Sequence, residues 1–316
     1  MQNSLSAGVP RTQASRGRRL WNEIKQARTY YLLMLPALIY VLIFCYQPMY
    51  GLQIAFKDYK GVFGIAGSPW VGLKHFQSFF ESYYFGRLMK NTLILSFYSM
   101  IVGFPFPIIL ALLLNEITPK LRKFSQTVLY APHFISTVVL VGMINVMFSP
   151  SIGIVNHVIE LMGGQAIYFL AKPEVFRHMY VWSGVWQGTG WGAVIYIAAL
   201  AGVSPELHEA ATIDGASRLQ RVIHINLPSI LPTIVILLIM RIGQLVNIGY
   251  EKVYLLQNSL NQEVSEVIST YVYKRGILST NYSFSSAVGL FNNIINVLLL
   301  LMANFVSRKA TDTSLF

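Results

Sequence analysis

Charged residues and cysteines are scarce in this sequence. Asp, Glu, Lys and Arg make up 12% of its 316 residues, whereas about 25% is usual in a soluble domain. Cys45 is the single cysteine, so the chain can form no internal disulfide, and cysteine usage does not indicate a compartment. The shortage of charge argues against an ordinary soluble domain and predicts a membrane protein.

The residue groups that carry chemistry are also missing. The six histidines are scattered and form no metal-binding cluster with the single cysteine. No Ser/His/Asp set or pair of carboxylates emerges, so a membrane enzyme would have no catalytic constellation. The phosphate-binding pattern G-x-x-x-x-G-K-[ST] is absent, so the chain cannot cradle ATP itself. We therefore expect no enzyme activity, no metal and no cofactor bound by this chain.

Apolar residues are abundant, at 54%, and they are concentrated in blocks. Six blocks have a near-spanning length of about 20 residues, at 31–49, 92–114, 126–148, 179–201, 229–249 and 286–306. These blocks must be helices, because lipid cannot satisfy open backbone groups. The sequence predicts an all-α integral membrane fold with six transmembrane helices. We divide it into an N-terminal tail, 1–28, a transmembrane domain, 29–309, and a C-terminal tail, 310–316.

The net charge of +11 is explained better by membrane topology than by nucleic acid. The basic residues are split among loops and form no domain-sized patch, so we expect no nucleic-acid partner. The flank of the first span is strongly basic, and such flanks stay on the cytoplasmic side. Against one acid, Glu23, it carries Arg11, Arg16, Arg18, Arg19, Lys25 and Arg28. We predict a multi-pass plasma-membrane protein with both termini in the cytoplasm.

The predicted inner loop 203–228 has the pattern of two helices separated by a glycine. Ser204 can cap a helix that begins at Pro205. Gly215 ends this helix, because glycine reaches positive φ at little cost. Asp214 can then accept hydrogen bonds from the start of the second helix, and Pro228 opens the fifth span. Taken alone, the loop could also be an ordinary amphipathic connection.

The loop resembles a motif of a known family. Glu209-Ala210-Ala211, then Asp214-Gly215-Ala216, then Ile225-x-Leu227-Pro228 resemble the EAA loop of ABC importer permeases, without a gap. The likeness covers most of the chain and lies in the carbohydrate-uptake branch with the maltose-type permeases, in particular the LplB-like group. Further resembling segments are Pro48-Met49-Tyr50-Gly51, Ala55-Phe56-Lys57-Asp58-Tyr59, Trp70-Val71-Gly72-Leu73, Asn91-Thr92 and Gly249-Tyr250-Glu251-Lys252.

This resemblance implies a type I ABC importer permease fold whose inner loop is a cytoplasmic coupling helix. It implies that Glu209, Ala210, Ala211, Asp214, Gly215 and Ala216 dock into a cytosolic ATPase. The expected partners are a second, different permease subunit, two ATP-binding subunits that hold ATP and Mg²⁺, and an extracytoplasmic solute-binding protein. The expected cargo is an oligosaccharide or a polysaccharide-derived sugar.

Two alternatives remain. The same family could carry a non-sugar solute, such as a peptide, because likeness of fold does not settle cargo. An ion-coupled secondary carrier would need carboxylates inside the membrane for coupling. No acidic residue lies well inside a predicted span, and Glu251 lies only at the end of one.

The candidates for the substrate path are polar or aromatic residues within the spans. Arg241 is the clearest, because a charge inside a membrane is costly and usually functional, and it would attract an acidic sugar such as a uronate. At helical spacing, Arg241, Gln244, Asn247 and Glu251 would share one face. Alternatively, Arg241 is a structural partner of Glu251 or a helix-capping donor.

Two further groups could contact sugar. Asn292, Asn293 and Asn296 form a polar patch in the sixth span, although asparagines also hold membrane helices together. Trp186, Gln187 and Trp191, with Trp182, could stack on or bind sugar rings in the fourth span. Tryptophan also packs in helix interfaces and anchors at membrane surfaces, which is the alternative for these residues.

Overall fold

The computed structural model describes residues 25–311, 314 and 315, and this part of the chain is helical. Its only β pairing is an isolated antiparallel bridge between Lys57 and Trp70. The chain divides into two compact units, one ending at Gln53 and the other beginning at Ile54. Most of the predicted N-terminal tail lies outside the described residues.

The first unit contains helix α1, Arg28–Val41, which continues into a π-helical turn, Leu42–Tyr46. A 3-10 segment, Gln47–Phe56, follows and leads into the second unit. Pro48 explains the π turn, because a proline ring clashes with the carbonyl four residues earlier and a widened turn relieves that clash.

The second unit begins with two short helices, α2 and α3, at Gly64–Gly67 and Lys74–Phe80. Next come α4, Phe85–Gly103, and α5, Pro105–Glu116. The interruption at Phe104 falls among Gly103, Pro105 and Pro107, residue types that weaken a helix. The first N–H groups of a helix have no partner within the helix, so the missing N–H of a proline costs little at the start of α5.

The third predicted span, 126–148, is helical but is not one continuous helix. The chain forms α6, Pro119–Tyr130, then a 3-10 turn, Ala131–Phe134, then α7, Thr137–Met147, with a bend of 95°. The Ser136 hydroxyl caps α7 by accepting from the Val139 N–H. Gln187 donates a 2.7 Å hydrogen bond to the Ile135 carbonyl, which satisfies backbone that the break leaves open.

Helix α8 spans Ile154–Leu161, and the long helix α9 spans Pro173–Leu200. Helix α9 lies at the centre of the second unit, where it packs against α4, α5 and α6. Its buried side chains Val181 and Val185 join a core that also contains Leu95 from α4. The core is therefore built around α9.

Beyond α9 the chain bends by 77° into α10, Pro205–Ile213. One continuous helical segment then runs over α11, Arg218–Arg221, a π turn, Val222–Asn226, and α12, Leu227–Ile242. Pro228 follows the π turn as Pro48 follows the first one, and the same steric reason applies.

The remaining helices are α13, Tyr250–Leu256, α14, Gln262–Ser265, α15, Ile268–Tyr273, and α16, Tyr282–Thr311, with a π turn at Lys274–Leu278. Within the described residues, four helices are long and apolar enough to cross a membrane, and the number reaches six if each of two bent pairs is one span. The all-helical membrane fold is confirmed, with six spans when the bent pairs are counted in this way.

Candidate functional site

The loop between α9 and α12 folds largely as its sequence predicts. The Ser204 hydroxyl accepts from the Glu206 N–H at 3.3 Å, and Pro205 is the first residue of α10. Gly215 has φ of +77° and ends α10, as predicted. Its N–H donates to the Thr212 carbonyl at 3.1 Å, so the turn closes back onto the helix.

The second helix of the loop is capped by Ser217, whereas the sequence suggested Asp214 for this role. The Ser217 hydroxyl accepts from the Gln220 N–H, and the Gln220 side chain accepts from the Ser217 N–H at 2.7 Å, which makes a reciprocal capping box. Arg221 donates to the Thr212 hydroxyl at 2.6 Å and ties the two helices together.

Two large apolar side chains of α10 are uncovered within the described chain. Ile213 is 86% exposed and Leu207 is 51% exposed. Glu209 lies on the same exposed helix, beside a shallow depression that His208, Thr212 and Arg221 also line. An exposed helix with uncovered apolar side chains, and with the Glu209 carboxylate beside a depression, is suited to the groove of a protein partner.

A cavity of about 530 Å³ lies among α4, α5, α9, α12 and α13. Its wall combines apolar side chains with small groups of α9, including Gly184 and Gly188. Three long polar side chains also line it, namely Gln187, Arg241 and Lys252. A second cavity of about 190 Å³ lies next to it and shares Ser99, Tyr180 and Arg241.

The fifth span ends earlier than predicted, which changes the geometry of the polar stripe. Helix α12 stops at Ile242, so Gln244 and Asn247 lie in turns and not on a continued helix face. The chain nevertheless brings them together with Arg241, and all three line the second cavity. Glu251 lies exposed in the first turn of α13 and lines neither cavity.

Arg241 has no ion pair and no hydrogen bond within the described part of the chain, so the suggested structural pair with Glu251 does not form there. It lies in the last turn of α12, where a cation is favoured by the partial negative charge of the helix end.

The asparagines of α16 bind backbone, and among the described cavities they line none. The Asn296 side chain accepts from the Val246 N–H at 3.1 Å, and Asn292 donates to the Val246 carbonyl at 3.5 Å. Both groups of Val246 are freed by the end of α12, so these asparagines compensate for the broken helix. Asn293 is exposed and lies away from both cavities.

The aromatic candidates of α9 are also away from the cavity. Trp186 and Trp191 are each 49% exposed. The Trp191 ring stacks on His133 with a centroid separation of 4.7 Å. Gln187, between them in sequence, lines the large cavity but donates its amide to Ile135.

Lys252 is the cavity residue that the sequence predictions missed. Its amine donates to the Tyr180 carbonyl at 2.9 Å and lies 4.8 Å from the centroid of the Tyr180 ring. Burial lowers the pKa of the Lys252 amine to about 8. The sequence placed Lys252 in an outer loop beyond the fifth span, so no periodicity could have found it.

Comparison with known proteins identifies clear relatives. Residues 103–312 match the family described as "Binding-protein-dependent transport system inner membrane component". Protein LplB of Bacillus subtilis is 43% identical over 98% of this chain and 97% of its own length. The permease protein YteP of the polygalacturonan/rhamnogalacturonan transport system of the same organism is 44% identical over 95% of this chain and 94% of its own.

A solved structure has the same fold. A chain of a bacterial ABC transporter involved in the import of the acidic polysaccharide alginate superimposes with a TM-score of 0.85 and 42% identity, covering 93% of this chain and 99% of that one. A chain of a bacterial alginate ABC transporter in complex with an alginate pentasaccharide-bound periplasmic protein also superimposes with a TM-score of 0.85 and 42% identity.

Proposed function

The chain belongs to the family of binding-protein-dependent transport system inner membrane components, and we propose that it is one of two different permease subunits of an ATP-driven saccharide importer. Members of this family are ABC transporter permeases and are not themselves enzymes. We therefore assign the binding of ATP and Mg²⁺ to two partner ATPase subunits. We assign the delivery of cargo to an extracytoplasmic solute-binding protein.

The uncovered helix α10 is the observation that carries the proposal. Its exposed Ile213 and Leu207 would be costly in water, and burial of such side chains in a partner contributes about 1.5–3 kcal/mol each. In the proposal, Glu209, Ala210 and Ala211 enter the ATPase groove. Asp214, Gly215 and Ala216 form the tight turn that lets the chain leave that groove again.

The direction of the chain in the membrane follows from this docking. If α10 contacts a cytosolic ATPase, the helical ends next to it face the cytoplasm. The basic flank before the first span favours the same side for the N-terminus, and the C-terminal end of α16, with Arg308 and Lys309 in its last turn, agrees with this assignment.

The helical segment from Arg218 to Ile242 connects the proposed docking loop to the cavities. It begins in the docking loop and ends one residue beyond Arg241, at the cavities. Twenty-five helical residues span roughly 35 Å. In the proposal, ATP brings the ATPase subunits together and α10 moves with them. The helical segment Arg218–Ile242 transmits this movement to the cavity, which switches between inward-facing and outward-facing states. Such a change requires only that the partner binds the two states differently.

The cargo is assigned to saccharides on two grounds. Two relatives more than 40% identical belong to transporters named for polysaccharides, namely polygalacturonan/rhamnogalacturonan and alginate. The cavity also offers planar polar groups at Gln187 and Arg241 beside the Tyr180 ring, and this mixture suits the hydroxyl groups and faces of sugars.

The first test is to purify the tagged chain from its native membrane and identify the proteins that accompany it. We expect an ATPase with a G-x-x-x-x-G-K-[ST] sequence and a second permease. Gly215→Pro should release the ATPase and retain the second permease, because proline cannot adopt φ of +77° and has no N–H to donate to Thr212.

Gly163→Pro is the matched control. Gly163 has φ of +85° and donates its N–H to the Glu160 carbonyl at 2.9 Å, so the local damage is the same but lies in a different loop. Recovery of wild-type chain without any ATPase, under conditions that preserve known importer complexes, would contradict the proposal and favour a secondary carrier.

A further inference from the structure

The two cavities are positively charged. Arg241 lines both cavities and Lys252 lines the larger one. No Asp or Glu is among the residues that line either cavity in the described chain. Two cations in one cavity without a carboxylate favour a ligand that carries negative charge.

Neither cation is neutralised within the described residues. The two ion pairs found there both involve Glu266, which binds Arg87 and Lys274. Arg241 makes no hydrogen bond, so all five N–H groups of its guanidinium are free of protein acceptors. The ammonium group of Lys252 has three donors, and one of them is used at the Tyr180 carbonyl.

Tyr180 lines both cavities and contacts Lys252. Its ring faces the Lys252 amine, and Arg241 is close enough to act electrostatically on its side chain. A Cβ on Gly184 would lie 3.3 Å from the Lys252 amine, so the absence of a side chain at Gly184 provides room for this amine. Arg241 of α12 and Lys252 of α13 therefore both line the larger cavity.

The neighbouring α4 adds hydroxyl groups without partners. Ser99 lines both cavities and Ser96 lines the smaller one. The side-chain oxygens of both serines are buried and have no hydrogen-bond partner in the described structure. Ser96 is only 5% exposed. Buried polar atoms without partners are uncommon, and these two belong to residues at the edge of the cavities.

We propose that Arg241 and Lys252 form a carboxylate-binding subsite for acidic sugar residues. This inference rests on the proposed function, since it assumes that the cavity is part of the saccharide path. A uronate supplies the missing negative charge, whereas a neutral sugar leaves both cations uncompensated. The lowered pKa of Lys252 agrees with a desolvated amine that lacks its counter-ion.

The test uses probes that differ only in charge. The complete complex, in nanodiscs of zwitterionic lipid so that no anionic headgroup contributes, is titrated with trigalacturonate, with trimannuronate and with their methyl esters, and binding is followed by saturation-transfer NMR. We expect each acid to bind at least about tenfold more tightly than its ester. Arg241→Gln and Lys252→Gln should each remove most of this preference, and Lys252→Arg should retain it.

Lys172→Gln is the control, because Lys172 is exposed, carries the same charge and lines neither cavity. Its preference for acids should equal that of the wild type. Thermal unfolding and retention of the ATPase establish that each variant is folded.

Equal affinity for acids and esters, or variants that keep the full preference, would overturn the subsite. In that case maltotriose binding would show that the saccharide function itself stands. Failure of every saccharide to bind or to be transported by the intact complex would overturn both the subsite and the proposed cargo.

Discussion

Gly190 lies so close to Leu129 that a Cβ on Gly190 would overlap the backbone carbonyl of Leu129. This contact holds α9 against the end of α6, where the third span breaks. Backbone cannot move aside as a flexible side chain can, so the site requires glycine.

We therefore expect Gly190→Ala to lower the free energy of unfolding by about 1–3 kcal/mol, the usual cost of overpacking. Gly188→Ala in the same helix should be neutral or slightly stabilising, because its Cβ would meet nothing within 4 Å. Thermal unfolding of both variants in detergent measures the difference. Equal midpoints would contradict the close contact.

The Gly215 turn should be sensitive to backbone strain and not to volume. A Cβ there meets no atom within 4 Å, but φ of +77° costs a non-glycine residue about 1–2 kcal/mol. Gly215→Ala should lower transport-coupled ATPase activity, and Gly215→Asn should lower it less, because Asn tolerates this conformation better. Activities that follow side-chain size instead would argue for a steric contact with the partner.

Glu266 should be essential for stability in the segment between α13 and α16. Its carboxylate, 6% exposed, binds Arg87 at 2.9 Å and Lys274 at 3.2 Å. Glu266→Gln leaves two partly exposed cations without a counter-charge, although Lys274 keeps its hydrogen bond to Gln257 at 2.6 Å. We therefore expect a loss of about 1–3 kcal/mol, less than for a fully buried pair. Glu263→Gln, in the same helical turn but exposed, should change the free energy of unfolding by less than about 0.5 kcal/mol.

Variants of Asn296 and Asn293 test whether these asparagines stabilise the fold or take part in transport. Asn296→Leu removes the acceptor of the buried Val246 N–H and should cost about 1–3 kcal/mol. Asn293→Leu should leave stability unchanged. Uptake per folded molecule should be close to wild type in both. A large fall in uptake by stable Asn293→Leu protein would return that residue to the substrate path.

Lys252 should give opposite pH dependences of cargo binding and stability. Its pKa of about 8 in the folded protein lies below the ordinary value of 10.5. Binding of an acidic trisaccharide should weaken as pH rises through about 8, because the amine loses its charge. Between about pH 8 and 10.5, the Lys252 amine is protonated in the unfolded chain but mostly neutral in the folded protein. Because the unfolded state binds more protons in this range, the free energy of unfolding should rise with pH there.

Tyr180 and Arg241 are the titratable groups of the cavity wall next to Lys252, and neither a phenol nor a guanidinium ordinarily changes charge between pH 7 and 9. Lys252→Arg should therefore remove the inflection near pH 8 while binding persists. An unchanged inflection in this variant would assign it to another group.

The sequence by itself determined the membrane class, the approximate helices and the docking loop. Long apolar blocks must be helical in lipid, and Ser204, Pro205 and Gly215 act within a few residues of their own position. These features depend on local backbone preferences, which a sequence displays directly.

Tertiary structure decided where the helices break and which polar residues meet. Helix α12 ends at Ile242, and Asn292 and Asn296, about fifty residues later, bind the backbone of Val246 beyond that end. That ending places Gln244 and Asn247 in the cavity and excludes Glu251. Lys252 reaches Tyr180 across seventy-two residues of sequence. Periodicity within one helix contains no information about contacts between helices, so only packing around α9 could assemble the two cations on one wall.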